Sequence, residues 1–558
     1  MNWFIFIIGC SPGNDPKPER PLAWPHAGLL ERDRVAIDPS TLPQADTPVP
    51  TDHLGWRDGF SVVQSTVFDL GPMDSLEGVR LIDLETGEEL PSFAELDAWP
   101  DNEEDPTLIV RPTSPLPVGH RVAAVVPTSV VEETDWWAWG PDLRDELSAL
   151  GVEDLAMASS FPVGDGSMPT RAAVSMVETP TQVTWRSDVD DPEFLPEGIA
   201  RRMEGTFTTV NFLVDDDHIE LDDEGVPAVA GEVEAKLYVY VPSSIADAEP
   251  GTVPIWLYGH GIFSHPDNYL DQPDDPNGVV ELANEAGVIV VATVWRGLTR
   301  SDLPVAISAG NDFARMRQLT DHLVQGVANT NALFHLVDSG GLDEDLDGLP
   351  SGVVRYYGIS LGGIEGAVLA ANTPELESAV FHVGGSAWST MLERSANWTD
   401  FEVLVEYGVP SPRDRQQLYA LSQLFWDPVD PALYGDDLAD RAVLWQESIG
   451  DEQVPNRTTE LLARAAGAVQ MTPSVYAVEG LEQSDAPTAP ALVQFDPELP
   501  LPPDVNRPAE RTGAHGAPRH WPGSNRQTAR FNDPEDPGVV EHYCGEEPCS
   551  ASNPGSWE

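Results

Sequence analysis

Between residues 353 and 371 the chain passes through three kinds of segment in quick succession. An apolar run, Val353-Val354-Arg355-Tyr356-Tyr357, meets a serine between glycines, Gly358-Ile359-Ser360-Leu361-Gly362, and then Gly363-Ile364-Glu365-Gly366-Ala367-Val368-Leu369-Ala370-Ala371. Few folds accommodate all three. A buried strand must turn sharply into a helix with Ser360 at the apex, and a side chain at either flanking glycine would block the turn. This is the context of a nucleophile elbow, in which a strained turn exposes a serine hydroxyl. A bare G-x-S-x-G run is weak, because a chain with 46 glycines in 558 residues readily produces one by chance. Its weight depends on what else the sequence supplies, and in what order.

Upstream, Val253-Pro254-Ile255-Trp256-Leu257-Tyr258 reads as a buried strand that runs into Gly259-His260-Gly261-Ile262-Phe263. A turn of this composition lets backbone N–H groups face a developing negative charge. Ile262 and Leu361 are the candidate amide donors of such an oxyanion hole, with Gly261 as the residue of the same loop that permits the turn, and His260 shaping the backbone. Downstream, Ala442–Ile449 reads as another buried strand with Asp451 at its carboxyl end. Ser474–Glu479 reads as a further strand, followed by a Pro-rich loop and His515. The order Ser, Asp, His differs from the orders of the chymotrypsin and subtilisin types. His520 competes with His515 as the base, and Glu447 and Glu452 compete with Asp451. The loop apex Ala514-His515-Gly516 and the strand-end Gly450-Asp451 favour His515 and Asp451.

Six apolar runs extend from the His-Gly segment onward: Val253–Tyr258, Val288–Trp295, Val353–Tyr357, Ser378–Val383, Ala442–Ile449 and Ser474–Glu479. Helical patterns such as Phe313–Leu336 separate most of them. That alternation predicts an α/β fold, a mostly parallel sheet with helices on both faces. Thr206–Phe212 and Ala235–Val241 are expected to begin the sheet as antiparallel strands. If the His-Gly strand is the third, the serine follows strand five, the acid strand seven and the histidine strand eight.

Before this region the pattern differs. From Arg34 to Glu133 short apolar segments alternate with turn signals, as in Phe60–Val63, Val79–Asp83, Leu108–Pro112 and Val122–Val126, with a hairpin turn at Leu84–Glu88. This reads as a small β-sandwich domain over 34–140, leaving 141–558 for the α/β domain. A helix over Asp142–Leu150 and the segment Leu155–Phe161 connect the two. A lid insertion is expected at about 386–440, where Trp388, Trp398, Leu424, Phe425, Trp426 and Tyr434 are candidates for an acyl-binding pocket.

The formal net charge is -63, from 93 acidic and 30 basic residues, and only Lys17 and Lys236 are lysines. Such a field repels nucleic acid and anionic membranes and disfavours anionic substrates. Hydrophobic content of 41% marks a globular chain. Met1–Cys10 (MNWFIFIIGC) resembles the end of a bacterial lipoprotein signal, with Cys10 as the lipidated residue and 11–33 as a Pro-rich tether. The expectation is an exported protein held by its N-terminal lipid at the outer membrane or cell envelope, or otherwise secreted or periplasmic. Cys544 and Cys549 then remain as a pair able to close a small disulfide loop. No metal site is expected. Asp343, Asp345 and Asp347 match the first half of a calcium loop, but Val354 stands at its twelfth position.

On these motifs the segment Ala235–Glu558 resembles the α/β-hydrolase superfamily. The whole chain is similar to exported bacterial esterase/lipase-like proteins with an N-terminal β domain. Gly259–Gly261, Trp295-Arg296-Gly297, Gly358–Gly363, Gly450–Pro455 and His515–Arg519 carry the likeness. The resemblance implies that Ser360 attacks an acyl carbonyl while His515 moves the proton and Asp451 orients the imidazole. It implies a small-molecule or lipid ester as substrate and no cofactor. A peptidase or amidase with the same chemistry stays open. So does a non-catalytic surface binding protein on a hydrolase scaffold, since one fold hosts many functions.

Overall fold

The computed structural model describes residues 23–43, 47–70, 73, 75–99, 106–132, 142–272, 275 and 277–557. Cys10, the signal-like segment and the first half of the expected tether lie outside them. Twelve strands form one mixed sheet. In chain order they are β1 (Val183–Val189), β2 (Ile199–Asn211), β3 (Gly231–Pro242), β4 (Val253–Gly259), β5 (Ile289–Ala292) and β6 (Pro350–Ile359). There follow β7 (Ser378–His382), β8 (Ala442–Ser448), β9 (Val469–Met471), β10 (Glu482–Ser484), β11 (Ala491–Asp496) and β12 (Cys549–Ser550). Their spatial order is β1-β2-β3-β5-β4-β6-β7-β8-β11-β9-β10, with β12 beside β11. The strands are antiparallel as far as the β3–β5 pair and parallel from β5 onward.

The central strands are continuous apolar runs because both faces are covered, as a parallel sheet requires. Successive residues go to opposite faces. Ile255, Leu257 and Tyr356 join the apolar cluster under the helices α2 (Met316–Asp338) and α3 (Leu361–Asn372), whereas Trp256, Tyr258 and Tyr357 join the cluster beneath the helices Val279–Ala286 and Pro522–Phe531. Counted from β2, the serine follows the fifth strand, β6, and Asp451 follows the seventh, β8. This is the α/β-hydrolase fold.

The eighth strand is not the one expected. Ser474–Glu479 is a loop, and β11 takes the place beside β8, with Leu444 opposite Ala491 and Ser448 opposite Phe495. Ala491–Phe495 is a buried apolar run hidden in a Pro-rich stretch, between Pro490 and Pro497. The Ser474–Glu479 backbone bonds to glutamine side chains instead of a strand: Gln470 Nε2 donates to Tyr476 C=O at 2.7 Å, and Tyr476 N–H donates to Gln494 Oε1 at 3.2 Å. His515 still follows the strand that occupies the eighth place.

Two four-stranded antiparallel sheets precede the large one. Ala23–Trp24, Thr66–Phe68, Leu108–Pro112 and Ser92–Leu96 form the first; Leu155–Pro162, Arg121–Pro127, Arg80–Asp83 and Glu89–Leu90 form the second. They reach beyond 34–140 at both ends. Trp24 is buried edge-on against Phe60, so the segment read as tether is already packed there. Leu155–Pro162 pairs along Arg121–Pro127 and belongs to the N-terminal sheets. Phe60–Val63 is not a strand; Phe60 makes only an isolated bridge to Val163.

A buried ionic network fastens these sheets to the segment between β7 and β8. Arg111 donates from Nε to Glu95 and from Nη2 to Glu393, each at 2.6 Å. Gln416 Nε2 reaches Asp97 at 3.2 Å and Glu393 at 2.9 Å, and Asn506 Nδ2 reaches the same two carboxyls at 2.9 and 3.0 Å. A second buried pair joins Arg57 to Asp427. At the other end of the chain Cys544 and Cys549 form a disulfide. Among the described residues no helix is long and apolar enough to cross a membrane.

Candidate active site

β6 ends at Ile359 and α3 begins at Leu361, so Ser360 alone makes the turn, at φ 58° and ψ −117°. A backbone of this kind costs about 1–3 kcal/mol at a non-glycine residue and persists only where its surroundings enforce it. Here Ser360 N–H donates to His382 C=O at 2.9 Å, and Ser360 C=O accepts from Gly363 and Ile364 N–H at 2.7 and 3.0 Å. A Cβ on Gly362 would lie 2.1 Å from Gly259 O, and one on Gly358 2.1 Å from Gly362 O. The glycines of the motif are thus demanded by three backbones meeting. Tyr356 Oη, donating to Gly362 O at 2.5 Å, ties them from below.

His515 lies on the turn Ala514–Gly516, and its Nδ1 is 2.9 and 2.7 Å from the two carboxylate oxygens of Asp451. Both side chains are buried. Asp451 Oδ1 also accepts from the N–H groups of Gln453 and Val454, at 2.8 and 2.9 Å, which fixes the carboxylate. A carboxylate accepting from Nδ1–H leaves Nε2 as the basic nitrogen.

The competing acids do other things. Burial raises the pKa of Glu452, but bonds from backbone N–H groups and the Thr512 hydroxyl outweigh it and leave the carboxyl below its ordinary value. Glu452 thereby holds the histidine loop, accepting from His515 N–H at 3.1 Å and Thr512 Oγ1 at 3.0 Å. Glu447 accepts from Gln494 at 3.0 Å, and burial pushes its pKa well up. His520 is exposed on the next turn.

Among the described residues Ser360 Oγ makes no hydrogen bond, so the serine and the Asp451–His515 pair stand as two parts. His382 links them. Its carbonyl holds the serine amide, while burial, with the charges of Arg519, His515 and His520 adding to it, lowers its ring pKa to about 3. Catalytic hydrogen bonds are commonly long in unliganded sites and tighten with substrate.

Of the oxyanion candidates, the amides of Ile262 and Leu361 make no hydrogen bond among the described residues. Gly261 differs: its N–H donates to Tyr269 Oη at 3.2 Å and is not a free donor. His260 anchors the loop, with Trp295 N–H donating to Nε2 at 2.9 Å and Nδ1 bonding Gly261 O at 2.8 Å. Burial lowers its pKa to about 4, which keeps the ring neutral, as one donor and one acceptor require.

Ser360 and Leu361 form part of the wall of an apolar cavity. Between β7 and β8, the helices α4 (Trp388–Arg394), α5 (Thr399–Gly408) and α6 (Pro412–Trp426) supply Trp388, Phe401, Leu418 and Trp426, and the short turn Ala396–Trp398 supplies Trp398. Trp398 Nε1 donates to Tyr419 Oη at 2.9 Å, so both polar tips are satisfied inside the apolar wall. Three other candidates for the acyl pocket lie elsewhere: Leu424, Phe425 and Tyr434 pack into the body, Phe425 against His53 and Phe313. The opposite wall was not foreseen. Ala306 and Ala309 of α1 (Leu303–Asn311), with Phe313, Met316 and Leu319, belong to a segment whose apolar spacing indicates only a helix.

No family model matches the chain, and no curated protein matches it. Solved structures do. Acetyl xylan esterase 1 from Thermoanaerobacterium sp. JW/SL YS485 is 14% identical over 61% of this chain and 88% of its own, with a TM-score of 0.34. The acylaminoacyl peptidase of Pyrococcus horikoshii is 13% identical over 59% of this chain and 47% of its own, with a TM-score of 0.31. An acetyl xylan esterase from Paenibacillus sp. R4 is 15% identical over 56% and 84%, with a TM-score of 0.32. These are distant likenesses.

Among the described residues one group of three possible metal ligands converges, His542, Cys544 and Cys549, and its two cysteines are spent in the disulfide. Asp347, of the calcium-like run, bonds Arg201 at 3.2 Å.

Proposed function

We propose that this protein is a serine hydrolase that cleaves uncharged carboxylic esters with apolar acyl groups. The observation that carries the reading is Ser360 itself. It is held on a strained elbow in the wall of an apolar cavity, next to two unengaged amides, in a chain that also pairs His515 with Asp451.

The chemistry follows from those positions. Ser360 Oγ adds to the ester carbonyl as His515 Nε2 takes its proton. Asp451 keeps Nδ1 protonated and stabilises the imidazolium. Ile262 and Leu361 N–H receive the charge on the former carbonyl oxygen, each contributing about 3 kcal/mol to the transition state. The leaving alcohol takes the proton from His515, and water, activated by the same ring, releases the acid. An apolar acyl wall and a strongly negative chain both favour neutral esters over charged ones.

The test is labelling of the full chain with a fluorophosphonate, combined with release of p-nitrophenol from butyrate and laurate esters. Labelling at Ser360 with turnover is the expected result. Labelling without ester turnover would favour a peptidase or amidase, and no labelling of folded protein would favour a binding scaffold.

The acyl wall is also testable. Trp398→Ala removes a ring stacked on Phe401 at 5.3 Å and bonded to Tyr419. The laurate-to-butyrate ratio of kcat/KM should rise roughly tenfold, the scale at which apolar pockets discriminate acyl length. An unchanged ratio would place the acyl chain elsewhere.

A further inference from the structure

We infer that Tyr269 is a third donor to the oxyanion; the inference rests on the serine-hydrolase reading above. Its hydroxyl is the acceptor for Gly261 N–H at 3.2 Å. A Cβ placed on Gly261 would stand 2.4 Å from Tyr269 Oη and 3.7 Å from Ser360 Cβ, so the phenol oxygen and the serine flank one point on the oxyanion loop. A tyrosine hydroxyl carries two lone pairs and one proton. Accepting from Gly261 uses a lone pair, and among the described residues the proton has no acceptor. The ring is held in place, buried against Tyr258 at 5.6 Å on the short helix Asp267–Leu270. The hydroxyl is therefore polarised by a backbone dipole, carried on a buried ring, and free to donate beside the nucleophile.

When Ser360 Oγ bonds to the carbonyl carbon, the C=O π pair moves onto oxygen and the serine proton goes to His515. Tyr269 O–H then hydrogen-bonds that oxygen alongside Ile262 and Leu361 N–H. No proton leaves the phenol. On collapse the pair re-forms C=O, and the departing alkoxide takes the proton from His515.

Tyr269→Phe in the full chain removes one oxygen and keeps the ring. The expected result with p-nitrophenyl butyrate is a fall in kcat of roughly 10²- to 10³-fold at unchanged KM, the scale of one lost oxyanion donor. Affinity for a trifluoromethyl ketone, which forms a tetrahedral adduct on the serine, should fall by a similar factor. A merely structural hydroxyl would instead lower the melting temperature and leave ketone affinity in step with KM. Fluorophosphonate labelling separates the two readings. If wild-type Ser360 is labelled and Tyr269→Phe keeps kcat and ketone affinity within twofold, the role of Tyr269 is overturned. If wild-type Ser360 is not labelled, the serine-hydrolase reading falls and this inference with it.

Discussion

His515→Ala is expected to lower kcat on p-nitrophenyl butyrate by about 10⁴- to 10⁶-fold, and Asp451→Asn by about 10⁴-fold, with KM little changed in both. The two variants fail for different reasons. Without His515 no group takes the proton of Ser360 as it attacks. In Asp451→Asn a base remains, but an amide in place of the carboxylate can donate to Nδ1, which turns the ring to the wrong tautomer. Both Asp451 oxygens lie within 2.9 Å of His515 Nδ1, so the geometry offers that nitrogen no other partner. His520→Ala should leave kcat within about threefold, because His520 is exposed and lies on the turn beyond the paired histidine. A normal kcat in His515→Ala with a collapse in His520→Ala would reverse the assignment of the base. Since the serine hydroxyl makes no hydrogen bond among the described residues, the rate of fluorophosphonate labelling is the direct readout of whether substrate-like ligands bring it to His515.

The parts of the site that were legible in the sequence are those fixed by short-range backbone demands. Gly358 and Gly362 can be read because a Cβ at either would strike the neighbouring backbone, and that constraint shows in the chain as a motif. Asp451 can be read because it ends an apolar run, and the central strands because parallel strands buried on both faces are apolar throughout. What was hidden depends on pairing across the fold. Ala491–Phe495 looks like part of a Pro-rich loop until β8 is beside it, and Ser474–Glu479 looks like a strand until Gln470 and Gln494 take its backbone groups. Tyr269 carries no local signal at all, since its meaning lies in an amide eight residues away. The ionic network between Glu95, Asp97, Arg111, Glu393 and Asn506 is equally silent. In a chain of 93 acidic residues, nothing in the spacing marks the few that are buried.

That network carries the largest expected effect on stability. Glu393→Ala leaves the buried Arg111 without one of its two carboxylates and removes an acceptor from Gln416 and Asn506. Breaking a buried pair in this way typically costs about 3–5 kcal/mol, because a charge stays desolvated without its counter-ion. Asp97 adds a dependence on pH. Burial, reinforced by the nearby charge of Glu393 and opposed by the Asn506 bond, raises its pKa to about 7. The native state then keeps a proton that the unfolded chain gives up near pH 4, so the stability this group contributes is full below that value and is lost as pH rises toward 7. Asp97→Asn retains an oxygen to accept from Gln416 and Asn506 but cannot ionise. It should remove that part of the pH slope and gain on wild type by up to about 4 kcal/mol above pH 7, at 1.36 kcal/mol per unit. The acid-side contribution of Glu95 has the opposite sign: burial raises its pKa, but Arg111 and Arg394 outweigh burial and lower it, so its share is lost as pH falls. Urea unfolding midpoints of wild type, Asp97→Asn and Glu393→Ala at pH 5 and pH 8 distinguish these contributions. Parallel midpoints for wild type and Asp97→Asn at both values would show that Asp97 is ionised in the folded protein. The network would then be a set of fixed charges, and its attachment of the β7–β8 segment to the N-terminal sheets would not weaken with rising pH.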